Sequence, residues 1–347
     1  MDLTLFTERS IWTMIPCIIL GSAALGQEAP PPIIDMHLHA GPADAQGPPP
    51  RRICAPLLAF PARDPQWTAQ QYGAQLQQHE DCARPLMSAA SDDELMRRTL
   101  QVLERRNIYA VTSGPWGDVR RWKEAAPSRV IPALGFHVHN APLDSVRRLV
   151  EDGEIAVLGE VVNQLVGVAP NDSLFEPYLA LAEARDVPVG IHIGPGPAGA
   201  FYLGATGYRA ALASPLLLEE VLIKHPKLRV YAMHAGWPML DEMMLMLYTH
   251  PQLHVDVGII SYLLPRGEFH HYLRRLVEAG FGKRVLFGSD QMIWPQAIEI
   301  AIAGIESANF LSAEQKRDIL YHNAARFLRL SADEIARHHR PASVGRR

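Results

Sequence analysis

The sequence has 347 residues, of which 48 % are hydrophobic and 20 % are charged, and its formal net charge is −4. This length suits one large barrel domain or two ordinary domains, and the composition is typical of a globular chain and excludes a disordered one. Because the net charge is small and negative, no basic surface is available to hold nucleic acid or an anionic membrane.

The first 26 residues are typical of a secretory signal peptide. Residues 11–25 form an apolar run that Pro16 interrupts and that is short for a membrane span. Small residues at 24 and 26 suit a signal peptidase, and residues 27–32 continue as a Pro-rich linker. We therefore expect an exported protein, periplasmic or secreted, with no stable membrane anchor after cleavage. The alternative is a chain anchored to the membrane by its uncleaved signal.

From residue 33 onward, short apolar runs alternate with longer helical patterns. The predicted strands are 33–38, 108–112, 130–136, 155–160, 187–193, 228–233, 253–257 and 285–288. The predicted helices are 92–106, 143–151, 174–185, 215–224, 239–248, 268–278 and 296–307. Strands rich in Val, Ile and Leu without alternation are typical of parallel strands covered on both faces. Eight β-then-α units predict an α/β protein, a (β/α)₈ TIM barrel over residues 33–330.

Two segments fall outside the repeating pattern. A long insertion, residues 41–90, follows the first strand, and loops of this length are usually functional or separately packed. It contains Cys54 and Cys82, an even number of cysteines in an exported chain, and we predict a disulfide between them. The alternative is two buried thiols. Residues 331–347 form a polar, basic tail that we expect to be frayed and solvated.

Catalytic groups of such a barrel sit at the carboxyl ends of its strands, where all eight βα loops open. The first strand ends in His37 and His39, which are two residues apart and therefore face the same side of a strand. Both can reach one ion in the barrel mouth. Asp35 shares their face one layer deeper, and we interpret it as an orienting or capping residue.

Three further polar residues follow later strands directly. His192 ends the fifth strand, His234 the sixth and Asp290 the eighth. Each could alone be a hydrogen-bonded structural residue, but together they place four imidazoles and one carboxylate at one barrel mouth. That is the ligand set of zinc or a similar divalent ion with one position left for water.

This combination resembles the amidohydrolase superfamily: His-x-His after strand one, His after strands five and six, and Gly-Ser-Asp after strand eight. The closer resemblance is to the amidohydrolase-related branch that includes aminocarboxymuconate-semialdehyde decarboxylase and resorcylate decarboxylase. Residues 320–328, with an Asn-Ala-x-Arg pattern, are similar to the closing helix of that branch. By this resemblance, the metal ligands are His37, His39, His192 and Asp290. His234 would then stand beside the metal as an acid/base or substrate-orienting group.

Glu160 ends the fourth strand and makes a site for two metal ions an alternative. In binuclear relatives, a carboxylate or modified lysine at this place bridges two metals, and the residues corresponding to His192 and His234 hold the second ion. Glu160 is therefore a candidate metal ligand here. It could equally be an acceptor for a ligand histidine or a general acid/base. We expect one divalent ion, zinc, rather than two.

Four residues are weaker candidates for substrate contacts. Trp237 and Trp294 follow His234 and Asp290 closely and could wall the site, or they could pack under the βα loops. Arg209, in a Gly-rich loop, could hold a substrate carboxylate. His139 follows the third strand and could line the pocket or lie in solvent.

These residues predict a hydrolase that acts on a small-molecule amide, ester or lactone through a metal-activated water. Asp290 could take the proton of that water and His234 could donate one. The same residues would serve a non-oxidative decarboxylase of an unsaturated or aromatic acid; export favours hydrolysis by analogy. A nuclease conflicts with the net charge, and a non-catalytic metal-bearing binding protein is the remaining alternative. The expected partners are a small-molecule substrate and, as an assembly, a second copy in a homodimer.

Overall fold

Each short apolar run of the sequence forms one strand of a single parallel sheet. The computed structural model describes residues 30–77, 82 and 85–340, and within them eight strands follow one another in chain order. The strands are β1 (Ile33–His39), β2 (Ile108–Ser113), β3 (Val130–Phe136), β4 (Val157–Val161), β5 (Val189–His192), β6 (Val230–Met233), β7 (Leu253–Asp256) and β8 (Val285–Leu286). Neighbouring strands are parallel throughout, from Ile33 opposite Ile108 to Leu286 opposite Asp256.

The edge between β8 and β1 is joined by main-chain hydrogen bonds outside the regular ladder. The amide of Met36 donates to the Phe287 carbonyl at 2.8 Å, and the amide of Asp290 donates to the His37 carbonyl at 2.6 Å. The eight strands therefore form a nearly closed barrel with helices between them, and the predicted (β/α)₈ TIM barrel is confirmed.

Two sets of apolar side chains explain why these runs form strands. One set fills the barrel interior and includes Ile34, Met36 and Tyr231. The other, larger set packs the outer faces of the strands against the helices. Because both faces are buried, the strands need no alternation of polar and apolar residues. At Gly190 a Cβ would lie 2.5 Å from the Tyr231 ring, so glycine leaves room for this interior tyrosine.

Helices surround the barrel. The α-helices are Ala69–Gln77, Asp92–Arg105, Trp116–Ala125, Leu143–Glu151, Glu176–Ala184, Glu219–Lys224, Leu240–Thr249, Ile260–Leu263, Arg266–Leu276, Ala297–Glu306, Ala313–Arg317, Asn323–Phe327 and Ala332–His338. The 3₁₀ segments are Asn163–Val166, Ala200–Leu203, Ala210–Ala213, Pro215–Leu218, His234–Gly236 and Gly282–Arg284, and the π-helical segments are Val277–Phe281 and Asp318–His322. All seven predicted helices are present, with ends that differ by a few residues.

The helix Trp116–Ala125 was not predicted. It starts directly after Pro115 and has Gly117 in its first turn, which weakens the helical pattern of a short segment. Packing stabilises it nevertheless, because Val119 and Trp122 lie fully buried on its inner face.

The insertion after β1 carries its own short elements. An antiparallel pair joins Arg52–Ile53 to Leu86–Met87, and the helix Ala69–Gln77 lies between these strands in the chain. The predicted disulfide between Cys54 and Cys82 is present. Because the bridge spans the helix, it ties both ends of this part of the insertion together.

The insertion extends across the carboxyl end of the barrel. The amide of Leu57 donates to the carbonyl of Leu263, in the segment after β7, at 2.7 Å. The ring of Tyr72 packs against Gly199, in the loop after β5. The insertion therefore contacts the βα loops after β5 and β7 at the barrel mouth, and we call it the cap.

The expected frayed tail differs from the structure between residues 331 and 340. Ser331 and Glu334 form a capping box that begins the helix Ala332–His338. The ring of His338 stacks on Tyr109 with 3.5 Å between centroids. The capping box and this aromatic contact explain why a polar segment is helical here. Residues 341–347 lie outside the described residues.

The predicted signal peptide, residues 1–26, also lies outside the part of the chain that the structure describes, as do residues 27–29 of the predicted linker. In the described part, no helix has both the length and the apolar character that crossing a membrane requires.

Candidate metal centre

Two histidines of β1 begin the site at the carboxyl end of the barrel. His37 and His39 are two residues apart, so their side chains leave the same face of the strand. Their Nε2 atoms lie 3.2 Å apart. His37 is buried, whereas the side chain of His39 is 23 % exposed. Two ring nitrogens at this distance suit a shared cation.

Asp290 approaches this pair from the loop after β8. Its Oδ1 lies 2.9 Å from His39 Nε2 and 3.7 Å from His37 Nε2. Asp290 has a φ of 49°, a conformation uncommon outside glycine, and this sharp turn directs the carboxylate inward. One ligand atom from each of the three residues lies within 4.8 Å of the others.

Glu160, at the end of β4, stands between two pairs of histidines. Its Oε2 lies 3.6 Å from His37 Nε2 and 3.5 Å from His39 Nε2. Its Oε1 lies 2.5 Å from His192 Nδ1 and 3.3 Å from His234 Nε2. The two oxygens of one carboxylate therefore face different pairs.

The second pair is joined by a short contact of its own. His234 Nε2 lies 3.1 Å from His192 Nδ1, and His234 Nδ1 donates to the Gly258 carbonyl at 3.1 Å. His234, with a φ of 61°, forms a second compact group with His37 and Glu160, again within 4.8 Å. His192 belongs to neither compact group and contacts the centre through Glu160 and His234.

The histidines are surrounded by negative charge. Burial by itself would lower the pKa of His37, but the carboxylates of Asp290, Asp256 and Glu160 raise that pKa well above its ordinary value. Burial likewise opposes ionisation of His234, and its contacts with Glu160 and Asp290 raise its pKa above the usual value. The centre therefore attracts positive charge.

The carboxylates show the complementary effect. Burial by itself would raise the pKa of Glu160, but His192 and His37 hold that pKa well below its ordinary value. The pKa of Asp290 is also lowered: burial opposes ionisation, and His37 and His39 outweigh it. Imidazole nitrogens and ionised carboxylates at these distances form a donor set that fits zinc or another divalent cation.

The sequence prediction missed Asp256, which ends β7 and is fully buried. Its Oδ2 lies 3.1 Å from His37 Nδ1, and its Oδ1 accepts hydrogen bonds from the amides of His234 and Gly258 at 3.0 and 2.8 Å. The strand-end rule could have found it, but the predicted strand extended through residue 257 and placed Asp256 inside the strand.

Two further polar side chains hold the ligand residues in place. Asp35 Oδ1 accepts from the amides of His37 and Ser289 at 3.0 and 2.9 Å, which agrees with the orienting role predicted for it. Gln291, which was not predicted, accepts from the His39 amide at 3.0 Å and donates to the His39 carbonyl at 2.7 Å. Both residues join β1 to the loop after β8.

The predicted tryptophans have contacts in the loops of this end. Trp294 is buried, and its Nε1 donates to the carbonyl of Arg51 in the cap at 3.1 Å. Trp237 is half-buried, and its Nε1 donates to Glu268 at 3.1 Å. Trp294 thus anchors the cap to the loop that carries Asp290.

The other two predicted substrate residues are exposed. Arg209 donates to the carbonyls of Thr206 and Tyr208 in its own loop at 2.9 and 2.7 Å. His139 lies beside His137, with 6.1 Å between ring centroids. Neither makes a hydrogen bond or ion pair with the centre among the described residues.

Solved structures of similar fold support the architecture. The 5-carboxyvanillate decarboxylase from Sphingomonas paucimobilis has a TM-score of 0.53 and 14 % identity, covering 86 % of this chain and 99 % of that one. A probable 2-pyrone-4,6-dicarboxylic acid hydrolase from Acinetobacter baumannii has a TM-score of 0.53 and 16 % identity, with coverages of 86 % and 99 %. A dihydroxybenzoic acid decarboxylase from a Polaromonas species, solved with manganese and 2-nitroresorcinol, has a TM-score of 0.52 and 13 % identity, with coverages of 88 % and 99 %.

At these identities the likeness establishes the fold. No curated protein matches the sequence. A sequence model of the amidohydrolase family matches residues 34–330, which span the barrel from β1 to the closing helices and include every residue of the centre described above. The chain belongs to the amidohydrolase family.

Proposed function

We propose that this chain is a metal-dependent hydrolase of a small-molecule amide, ester or lactone, attacked through a metal-activated water. Family membership supports a metal-dependent enzyme of the amidohydrolase type. The choice of hydrolysis rests on the charge of the centre.

The observation that carries this choice is the number of carboxylates. Asp256, Glu160 and Asp290 all lie in contact with the imidazoles of the centre. The three carboxylates carry one more negative charge than a single divalent cation balances, and the proton on His234 offsets that charge. The loaded centre therefore offers a carboxylate substrate no net positive charge, and a neutral carbonyl compound suits it better. Arg209, the predicted counter-charge for an acid, is exposed and hydrogen-bonds within its own loop.

The proposed cofactor is one zinc ion. His192, the fourth ligand predicted from the family resemblance, lies outside the compact groups, and we propose that the ion is held by His37, His39 and Asp290. Their ligand atoms lie within 4.8 Å of one another, and Glu160 Oε2 lies 3.5 Å from His39 Nε2 as a neighbouring donor. Imidazole and carboxylate ligands with one position left for water are typical of catalytic zinc. The oxygens of Glu160 face separate histidine pairs, so a stoichiometry of two ions would identify Glu160 as a bridge.

Two residues of the centre would supply the base and the acid of the reaction. A divalent cation polarises a carbonyl and lowers the pKa of bound water toward neutrality. Asp290 would accept the proton of the attacking water through its carboxylate. His234 donates a proton to the leaving group. Glu160 orients His192 and His234 through its Oε1.

We also propose that the protein acts outside the cytosol. The signal-like sequence of residues 1–26 motivates this proposal, and the Cys54–Cys82 disulfide supports it, because disulfides persist in oxidising compartments.

Metal analysis of the purified protein, combined with a panel of lactones, esters, amides and aromatic acids, tests the function. We expect about one equivalent of metal, hydrolysis of at least one neutral substrate and its loss on chelation. His234→Ala should keep the metal and lose most activity. If that variant instead loses half of the bound ions, the centre is binuclear. Protein without stoichiometric metal that is indifferent to chelators would overturn the proposal.

A second candidate is a non-oxidative decarboxylase of an unsaturated or aromatic acid. It is favoured by the structural likeness to two decarboxylases, one of them solved with manganese. The same panel separates the candidates, since carbon dioxide release from an aromatic acid with no hydrolysis of neutral substrates supports the decarboxylase. Tight ligand binding with no turnover would support a binding protein.

A further inference from the structure

One buried carboxylate connects both halves of the proposed metal centre. Asp256 is fully buried at the end of β7, between the strands that supply His234 and Asp290. Its Oδ2 contacts the ring of His37, and its Oδ1 accepts from the main-chain amides of His234 and Gly258. Three nitrogen atoms therefore converge on this carboxylate, two main-chain amides and one ring nitrogen, and each is at 3.1 Å or less.

The space around this contact admits no additional atom. A Cβ on Gly258 would lie 2.6 Å from His37 Nδ1 and 3.1 Å from Asp256 Oδ1. A Cβ on Gly288 would lie 2.8 Å from His37 Cβ and 3.2 Å from Asp256 Cγ. Two glycines on neighbouring strand ends thus form a narrow slot that holds the imidazole and the carboxylate together.

The chemistry of this contact determines which nitrogen of His37 faces the centre. A carboxylate accepts hydrogen bonds and does not donate them when ionised, so the proton of the neutral His37 ring must reside on Nδ1. The lone pair then resides on Nε2, the atom that lies 3.2 Å from His39 and 3.7 Å from Asp290. A ring with its proton on Nε2 could not bind a cation there.

We propose that Asp256 is a positioning residue that keeps His37 in the Nδ1-protonated form and presents its Nε2 to the metal. The same carboxylate holds the main chain at His234, so it aligns the metal ligand and the proton donor together. This inference rests on the proposed function only in requiring a cation at His37 and His39. It differs from a purely structural role because it predicts the protonation of one named nitrogen.

The isosteric variant Asp256→Asn provides the sharpest test. The Asn side-chain oxygen can still accept from the amides of His234 and Gly258, whereas its NH₂ group meets His37 Nδ1 and favours a proton on Nε2. We expect the variant of the full chain to fold and to bind zinc about 10- to 100-fold more weakly, the usual effect of losing such a partner. Zinc affinity is measured by competition with a chromophoric chelator.

Asp318→Asn is the matched control. Asp318 is also buried and pairs with Lys283, but it makes no contact with the centre. We expect its zinc affinity to equal that of the wild type, even if its unfolding midpoint falls. Equal zinc affinity in Asp256→Asn and the wild type would refute the positioning role.

A measurement on the wild type keeps the proposal testable if Asp256→Asn does not fold. In zinc-loaded protein with ¹⁵N-labelled histidine, the signals of His37 are assigned by comparison with His37→Gln. We expect a protonated Nδ1 and a metal-bound Nε2. The reverse assignment would overturn the inference. If the wild type binds no zinc, the proposed function fails, and the proton position is then read in metal-free protein at alkaline pH.

Discussion

The imidazole of His39 and the carboxylate of Asp290 lie 2.9 Å apart and connect the first barrel strand to the loop after the last. Gln291 strengthens this connection by hydrogen-bonding to both the amide and the carbonyl of His39. Since β8 and β1 share only irregular main-chain bonds, the proposed metal ligands lie across the weakest edge of the barrel. A cation bound there should hold the edge together as well as support chemistry.

Metal binding should therefore raise the thermal stability of the protein. A ligand at 100 times its Kd stabilises the folded state by about 2.7 kcal/mol, which corresponds to a rise in Tm of roughly 4 °C for a domain of this size. Differential scanning fluorimetry with zinc and with EDTA measures the shift. Asp290→Asn should abolish most of it, whereas a shift that persists in this variant would place the ion elsewhere.

The strands of this barrel could be predicted because buried parallel strands are apolar throughout and alternate with helical segments. Their ends were less predictable. The eighth strand was expected to reach residue 288, but regular pairing ends at Leu286, because the amide of Phe287 bonds to the carbonyl of Ile319 instead of to β7. A contact with a distant closing segment leaves no mark on the local sequence pattern.

The candidate site could be predicted where a polar residue directly follows an apolar run, as His37 and Asp290 do. Asp256 escaped this rule because the predicted strand extended through residue 257, and its contact with His37 joins positions 219 apart in the chain. Trp294 shows the opposite limit. Its position four residues after Asp290 is visible in the sequence, but its hydrogen bond to Arg51 depends on the path of the cap, which the sequence pattern does not reveal.

Asp290→Asn should remove activity with little change in the fold. The amide keeps the shape of the side chain but is a poor base and a weaker metal ligand, so we expect a loss in kcat/KM on the order of 10²- to 10⁴-fold. Asp333→Asn, on the exposed face of the last helix, is the control and should retain full activity. Activity of Asp290→Asn within a few-fold of the wild type would remove Asp290 from the mechanism.

The packing of the cap against the loop after β5 should depend on Gly199. This residue has a φ of 70°, and an added Cβ would lie 2.3 Å from the ring of buried Tyr72. Gly199→Ala should therefore combine backbone strain with overpacking and cost about 2–4 kcal/mol. Urea unfolding measures the stability, and limited proteolysis reports loosening of the cap.

Gly204→Ala is the matched control for this substitution. Gly204 also has a positive φ, 113°, but an added Cβ would have no atom within 4 Å. Gly204→Ala should therefore lose only the stability that backbone strain costs, about 1–2 kcal/mol. Equal stability and equal proteolysis of the two variants would mean that Tyr72 does not hold the cap against this loop.

Stability should fall in mild acid because of His254, at the amino-terminal end of β7. Burial lowers the pKa of His254 to about 4, and the charges of Arg284 and Arg326 act in the same direction. The unfolded chain has the ordinary histidine pKa of about 6.5, so between pH 6.5 and 4 it binds a proton that the folded state excludes. The folded state consequently loses stability as pH falls through this window, by at most about 3 kcal/mol.

Urea unfolding at pH 7.5, 5.5 and 4.5 measures this slope, and His254→Gln should reduce it because glutamine does not titrate. The share of His338, whose pKa burial also lowers to about 4, should remain. His271→Gln, at an exposed position of the helix Arg266–Leu276, should leave the slope unchanged. Since the imidazole of His254 packs against Phe327, with 4.7 Å between ring centroids, the first variant will also lose some stability at every pH. The comparison therefore uses the change in the free energy of unfolding between two pH values. An equal change in the wild type and in His254→Gln would show that another group is responsible for the acid sensitivity.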